Sequence, residues 1–286
     1  MSASTLRVLF SWSTLSLLAL AACGGGDDVA APTSAPTLAA GSATVSPPTK
    51  PSANEGADRP GPAPTGCGTL AKDKDGFITR NSGKGEYVLY VPKSYNGGPT
   101  RLLVGLHGCG DDAYNFATWG INPYDTRGDQ DYIGLAVGGE TGGSKCWNVN
   151  ADADKVEAAI ADVSKCVYVH QQKIVLAGYS SGGELAYSMA LKDATHVAGL
   201  LILDSSVSSA GNADQLLAGA ARKLDIAHRA HKDDDVYPLD GVEADWAIVK
   251  SAGFPLQTSI GPGTHDGTSE DWSGWLLGKM KDWKAP

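Results

Sequence analysis

The chain of 286 residues predicts an α/β fold, a mostly parallel sheet with helices on both faces. Three observations carry this. Short apolar runs bounded by Gly or Pro alternate with segments of helical periodicity. One run, Val197 to Leu203, is nearly unbroken, as a strand covered on both faces must be. The stretch "KIVLAGYSSGGELAYSMA", residues 173–190, hands an apolar strand to a helix through a Gly- and Ser-rich corner. Strands alternating with helices build a parallel sheet, and ligands then bind outside the carboxyl ends of the strands.

The elements follow in order. Tyr87 to Val91, Leu102 to Leu106 and Tyr132 to Val137 read as strands. Val156, Ala159, Ile160, Val163 and Val167 recur at helical spacing and lead to a strand at Ile174 to Ala177. A helix from Gly183 to Leu191 precedes the Val197 to Leu203 strand. Helices at Asp214 to Ala221 and Val242 to Ser251 flank a strand at Asp225 to Ala230. A last strand, Leu256 to Ile260, precedes a helix around Glu270 to Trp283. No internal repeat is visible.

The first residues read differently. A single early cation, Arg7, precedes an apolar segment from Val8 to Ala22 that stops at Cys23. This is the layout of an export signal over residues 1–22, too short and polar-flecked for a membrane span. Its ending resembles a bacterial lipobox, which makes Cys23 the expected lipidated first residue. Ordinary cleavage after Ala19-Leu20-Ala21 and secretion is the alternative. Residues 23–65 are rich in Gly, Ala, Ser, Thr and Pro and lack large apolar side chains, so a disordered tether is expected. The folded domain is expected over residues 66–286.

The formal charge is −9 with no basic run, a poor basis for binding nucleic acid. Of five cysteines, Cys23 is assigned to lipid. Cys67, Cys109, Cys146 and Cys166 form an even set suited to two disulfides in an oxidising compartment. No two of these lie at close ligand spacing, so no metal is expected. No nucleotide loop is seen, so no cofactor is expected either, and the domain is read as a monomer.

The loops at the strand ends carry the chemistry. His107-Gly108-Cys109-Gly110-Asp111 follows Leu106, and Gly178-Tyr179-Ser180-Ser181-Gly182 follows Ala177. His231 to Val236 follows the strand ending near His228, and Gly261 to Asp266 follows Ile260. A serine, a carboxylate and a histidine thus stand in the chain order of an α/β-hydrolase triad. Ser180 is the expected nucleophile, because Gly178 and Gly182 leave room for the cramped turn that pushes its hydroxyl outward. Ser181 lacks that glycine pair; its backbone N–H, at a helix start, suits an oxyanion. His265, after the last strand, is the expected base. The acid is open among Asp233, Asp234 and Asp235, with Asp204 as a fourth candidate that could instead cap the following turn.

"LHGCG", "GYSSGG", "DDVYP" and "GTH" together resemble the exported α/β-hydrolases of the feruloyl esterase and polyhydroxybutyrate depolymerase group, the first carbohydrate esterase family. The likeness spans most of residues 66–286. It implies an α/β-hydrolase fold with little or no lid, and it selects Asp234, the Asp that precedes Val236 and Pro238. The usual His-Gly ahead of the acid is replaced here by His228-Arg229-Ala230-His231, which leaves the register of the acid open by one residue. The likeness further implies that Cys109 and Ser181 supply the oxyanion N–H groups. It pairs Cys67 with Cys166 and Cys109 with Cys146, and sets Trp147 in the substrate cleft, with a core tryptophan as the alternative. His107 and Tyr179, in the same two loops, complete the expected substrate contacts. The implied activity is a serine esterase acting on feruloyl or acetyl esters of plant polysaccharides, lipid-anchored at the bacterial outer membrane. The alternatives are a polyester depolymerase and a non-catalytic sugar-binding lipoprotein.

Overall fold

The computed structural model describes residues 58–139 and 145–286. The expected signal segment, Cys23 and the tether up to residue 57 lie outside the described residues. Strand β1 (Phe77–Asn81) and strand β2 (Glu86–Tyr90) form an antiparallel hairpin, and β2 runs antiparallel to β4 (Tyr132–Val137). From there every pairing is parallel, through β3 (Thr100–Leu106), β5 (Val169–Tyr179), β6 (Gly199–Leu203), β7 (Asp225–His231) and β8 (Leu256–Gly261). The strand order is β1-β2-β4-β3-β5-β6-β7-β8. The mostly parallel sheet expected from the alternation is present.

Side-chain alternation divides the strands between two cores. Leu102, Val104, Leu176, Leu200 and Ile202 face one side. There they meet α2 (Ala153–Cys166) through Val156 and Val163, α3 (Ser181–Lys192) through Leu185, α4 (Ala213–Gly219) through Leu217, and α5 (Leu239–Ser251) through Val249. Leu103, Val175, Ala177, Leu201 and Leu203 face the other side, against Phe116 of α1 (Ala113–Phe116), Trp272 and Trp283. A strand whose successive residues enter opposite cores must be apolar throughout, which is why β6 reads as an unbroken run.

Two expectations change. The helix expected over Glu270 to Trp283 is a short α6 (Ser269–Asp271) followed by a wide turn, Trp272–Leu276, and a tight one, Leu277–Met280. Gly274 and Gly278 weaken regular helix there, while Trp272 and Leu276 are held by the core. The packed chain also begins upstream of Gly66. The Arg59 N–H donates to Gln172 Oε1 (2.7 Å), and the Gln171 N–H donates to Pro60 O (2.9 Å). The Asp58 carboxylate accepts from Lys284 Nζ (2.9 Å) and lies 2.9 Å from His170 Nε2. These bonds use backbone and short polar groups, so composition carries no sign of them.

Both disulfides join the expected partners, Cys67 with Cys166 (Cα–Cα 4.9 Å) and Cys109 with Cys146 (4.2 Å).

Candidate active site

Strand β5 ends at Tyr179 and α3 begins at Ser181, so Ser180 alone turns the chain. Its backbone has φ +54° and ψ −125°, a left-handed conformation that costs a non-glycine residue energy and is found where the fold over-determines it. Neighbouring contacts enforce it. A Cβ at Gly178 would collide with Gly182 O, and one at Gly182 with Leu106 O at the end of β3. The glycine pair is therefore needed for close approach, which pins the start of α3 against β3. The Ser180 N–H donates to Leu203 O (3.1 Å), tying the corner to β6 as well.

The three expected residues meet. The Ser180 hydroxyl lies 2.9 Å from His265 Nε2, and His265 Nδ1 lies 2.8 Å from Asp234 Oδ2. With the Nδ1–H donated to the carboxylate, Nε2 is left to accept the serine proton, the arrangement general-base activation of a hydroxyl needs. Asp234 is buried, and its other oxygen, Oδ1, accepts the Val236 N–H (2.8 Å) and the Tyr237 N–H (2.9 Å). Both oxygens are thus fixed, and the carboxylate cannot turn from the imidazole. Asp233 and Asp235 are exposed. Of the three adjacent aspartates, Asp234 alone reaches His265 in the hydrogen bonds described.

The loop after β3 lies against the same corner. A Cβ at Gly108 would come within 2.7 Å of the Tyr179 ring and 3.3 Å of Ser180 Cβ. Cys109 follows on the exposed side and is bridged to Cys146. Ser181 opens α3, its side chain buried and its Oγ without a partner among the described residues. The positive end of α3 therefore points at the space beside the Ser180 hydroxyl.

The residues expected to touch substrate differ in their burial. Trp147 is 6% exposed, packs tilted against His107 with ring centroids 5.2 Å apart, and donates its indole N–H to His107 O (2.9 Å). It lies in the core and supports the loop, because an indole satisfied by a backbone carbonyl packs as well as any apolar side chain. His107 is 1% exposed, with Nδ1 2.8 Å from Gly108 O. Tyr179 is half-buried and donates its hydroxyl to His265 O (2.6 Å). Trp147 and His107 are thus buried behind the loop after β3, while Tyr179 lies half-buried beside Ser180 and against the His265 ring.

Other residues that the motifs did not single out surround it. Tyr237 packs tilted against His265, 5.5 Å between rings, and donates its hydroxyl to Glu184 Oε1 (2.6 Å). Burial pushes the Glu184 carboxyl up, an effect that the Tyr237 hydroxyl opposes. Trp119, whose Nε1–H donates to Asp111 Oδ2 (3.0 Å), stands edge-on to Tyr179. Glu184 lies one helical turn past Ser180, and Tyr237 lies inside the "DDVYP" segment, so position was an available signal for both. Asp204, the fourth candidate for the acid, is fully buried and paired with His231 Nδ1 (2.7 Å).

No family model matches the chain. It is 30% identical over 152 residues to a probable feruloyl esterase C of Aspergillus clavatus, covering 51% of this chain and 54% of that protein. It is 28% identical over 185 residues to feruloyl esterase C of Emericella nidulans, covering 62% of this chain and 64% of that protein. The chain thus spans little more than half the length of the curated relatives it matches. Among solved structures, esterase PE8 superimposes with TM-score 0.56 at 18% identity, covering 68% of this chain and 96% of that one. An S-formylglutathione hydrolase of Staphylococcus aureus does so with TM-score 0.54 at 13% identity, covering 72% and 95%. Taken with the strand order and the corner at Ser180, these likenesses establish that the chain has the α/β-hydrolase fold.

Proposed function

We propose that the protein is a serine esterase. Ser180 attacks an ester carbonyl while His265 takes its proton and passes it to the leaving alcohol. Asp234 holds the imidazole in the required tautomer, and the Cys109 and Ser181 N–H groups stabilise the oxyanion. Water, activated by the same imidazole, then hydrolyses the acyl-enzyme. The observation that carries this reading is the unbroken line from Ser180 Oγ through His265 to the buried Asp234 carboxylate.

The substrates we propose are feruloyl or acetyl esters of plant polysaccharides. The feruloyl esterase relatives support this class. A polyester depolymerase is the second reading, on the motif likeness of the sequence. A p-nitrophenyl acetate assay separates either from a sugar-binding protein without activity. Turnover of methyl ferulate, acetylated xylan and hydroxybutyrate oligomers, compared at equal concentration, then ranks the substrates. Absence of hydrolysis on every ester would refute the proposal.

We further propose export, supported by the two disulfides, with a lipid anchor at Cys23. Incorporation of labelled fatty acid, lost in Cys23→Ser, is the expected result. A wild-type protein that takes up no label is secreted after ordinary cleavage instead.

A further inference from the structure

A second carboxylate stands at the triad. One oxygen of Asp204, one of Asp234 and a ring nitrogen of His265 lie within 4.8 Å of one another. Asp204 is 0% exposed. Two buried carboxylates so close repel each other, and such a pair persists only where other groups hold it. Asp204 also has φ +44°, one of three non-glycine residues with positive φ among the described residues. Burial, like-charge proximity and backbone strain at one position mark a functional constraint more than a packing solution.

The groups that hold Asp204 are separate from the triad. Its Oδ1 accepts the His231 N–H (3.0 Å), and its Oδ2 lies 2.7 Å from His231 Nδ1. His231 Nε2 lies 3.2 Å from Asp271 Oδ1, and Asp271 accepts from Arg229 Nε (2.6 Å) and from Thr268. The Asp204 N–H donates to Arg229 O (3.0 Å). The titratable and charged groups facing Asp204 are therefore His231 and Arg229 from β7, Asp271 from α6, Asp234 and His265 from the two rim loops, and Tyr179 from β5. None of the hydrogen bonds that fix Asp204 depends on Asp234 or His265.

We propose that Asp204 is a second positioning carboxylate for His265, able to accept the Nδ1–H when Asp234 is missing. This rests on the serine esterase reading for its kinetic consequence but not for its geometry. Burial pushes the Asp204 carboxyl up to about 6, so it is ionised and ready to accept at neutral pH. Asp234 fixes the imidazole in the intact protein. Its removal leaves space into which the ring turns toward the carboxylate held by His231.

Asp234→Ala tests this, alone and combined with Asp204→Asn. Asparagine tolerates positive φ and keeps one acceptor oxygen, so it is the least disruptive replacement at this position. Loss of a lone orienting acid costs about 10⁴-fold in turnover. Asp234→Ala is expected to cost about 10²–10³-fold instead, and the double variant a further tenfold or more. The residual rate of Asp234→Ala should fall in acid as Asp204 takes up a proton, and at a lower pH than the intact carboxyl would, because the Asp234 charge that helps to raise it is gone. A readout independent of activity is the low-field proton resonance of the His265 Nδ1–H, assigned by its loss in His265→Gln. It should persist in Asp234→Ala and vanish in the double variant. Loss of that resonance in Asp234→Ala, or a rate no higher than that of Ser180→Ala, overturns the proposal without needing the double variant to fold. If Ser180→Ala leaves hydrolysis intact, the esterase reading fails and the resonance still decides the role of Asp204.

Discussion

The Tyr179 hydroxyl donates to His265 O at 2.6 Å, and the two rings stack 5.3 Å apart with 23° between their planes. The residue before the nucleophile therefore holds the loop of the base. Burial pushes the Tyr179 hydroxyl up to about 12, so it stays protonated and donating across neutral pH. Tyr179→Phe keeps the stack and removes the bond. We expect turnover to fall about tenfold with KM little changed, since imidazole placement and not substrate binding is altered. Steady-state kinetics on p-nitrophenyl acetate provides the check.

Ser180→Ala should lower turnover by more than about 10³-fold with the melting temperature preserved. Ser181→Ala should stay within about twofold, because its buried Oγ has no partner to lose and the backbone N–H remains. Equal losses in the two variants would remove Ser180 as nucleophile.

Asp234→Asn should cost several orders of magnitude, since the amide can donate to Nδ1 and trap the wrong tautomer. Asp233→Asn and Asp235→Asn, both exposed, should stay within about threefold. The ranking of the three rates is the measurement; a crippled Asp233→Asn or Asp235→Asn contradicts the assignment.

Replacing Cys109 and Cys146 by serine should lower stability by roughly 2–4 kcal/mol. It should also lower turnover, because the bridge anchors the loop beside Ser180. Chemical denaturation and kinetics together separate the two effects. The corresponding change at Cys67 and Cys166, near the starts of the strands, should destabilise and spare turnover per folded molecule.

A chain shortened to begin at Gly66 loses Asp58, which faces the buried His170, and the backbone bonds of Arg59 and Pro60. It should be less stable than one beginning at Asp58 by on the order of 1–3 kcal/mol, with unchanged turnover. Equal melting of the two chains would show that these bonds contribute nothing net.

Much of this site was legible before the structure because its residues are local signals. Gly178 and Gly182 announce a cramped corner, and chain order separates His265, which follows the last strand, from His170, at the start of β5. Strand β1 stands outside the sequence reading above, although Asn81-Ser82-Gly83-Lys84-Gly85 is a turn signal between Phe77-Ile78 and Tyr87-Val88. The sequence leaves Trp147 open between cleft and core because an indole serves both equally well, and it does not record which backbone carbonyl the indole will meet. Pairings such as Asp204 with His231, or Glu184 with Tyr237, arise from residues distant in the chain. Asp204 meets His231 only because β6 lies beside β7 in parallel register. No periodicity within either segment encodes that.

Strand β5 runs from His170, beside Asp58, to the corner at Ser180. At about 3.3 Å per residue this places the two ends roughly 30 Å apart. A bead, surface or fusion partner joined directly ahead of Asp58 would therefore sit under the sheet, with the whole reactive mouth turned outward. Coupling through Lys232, which directly follows β7 at the same rim as His265, would instead press that mouth against the support. Orientation on a solid phase is thus decided by which end of one strand is grasped.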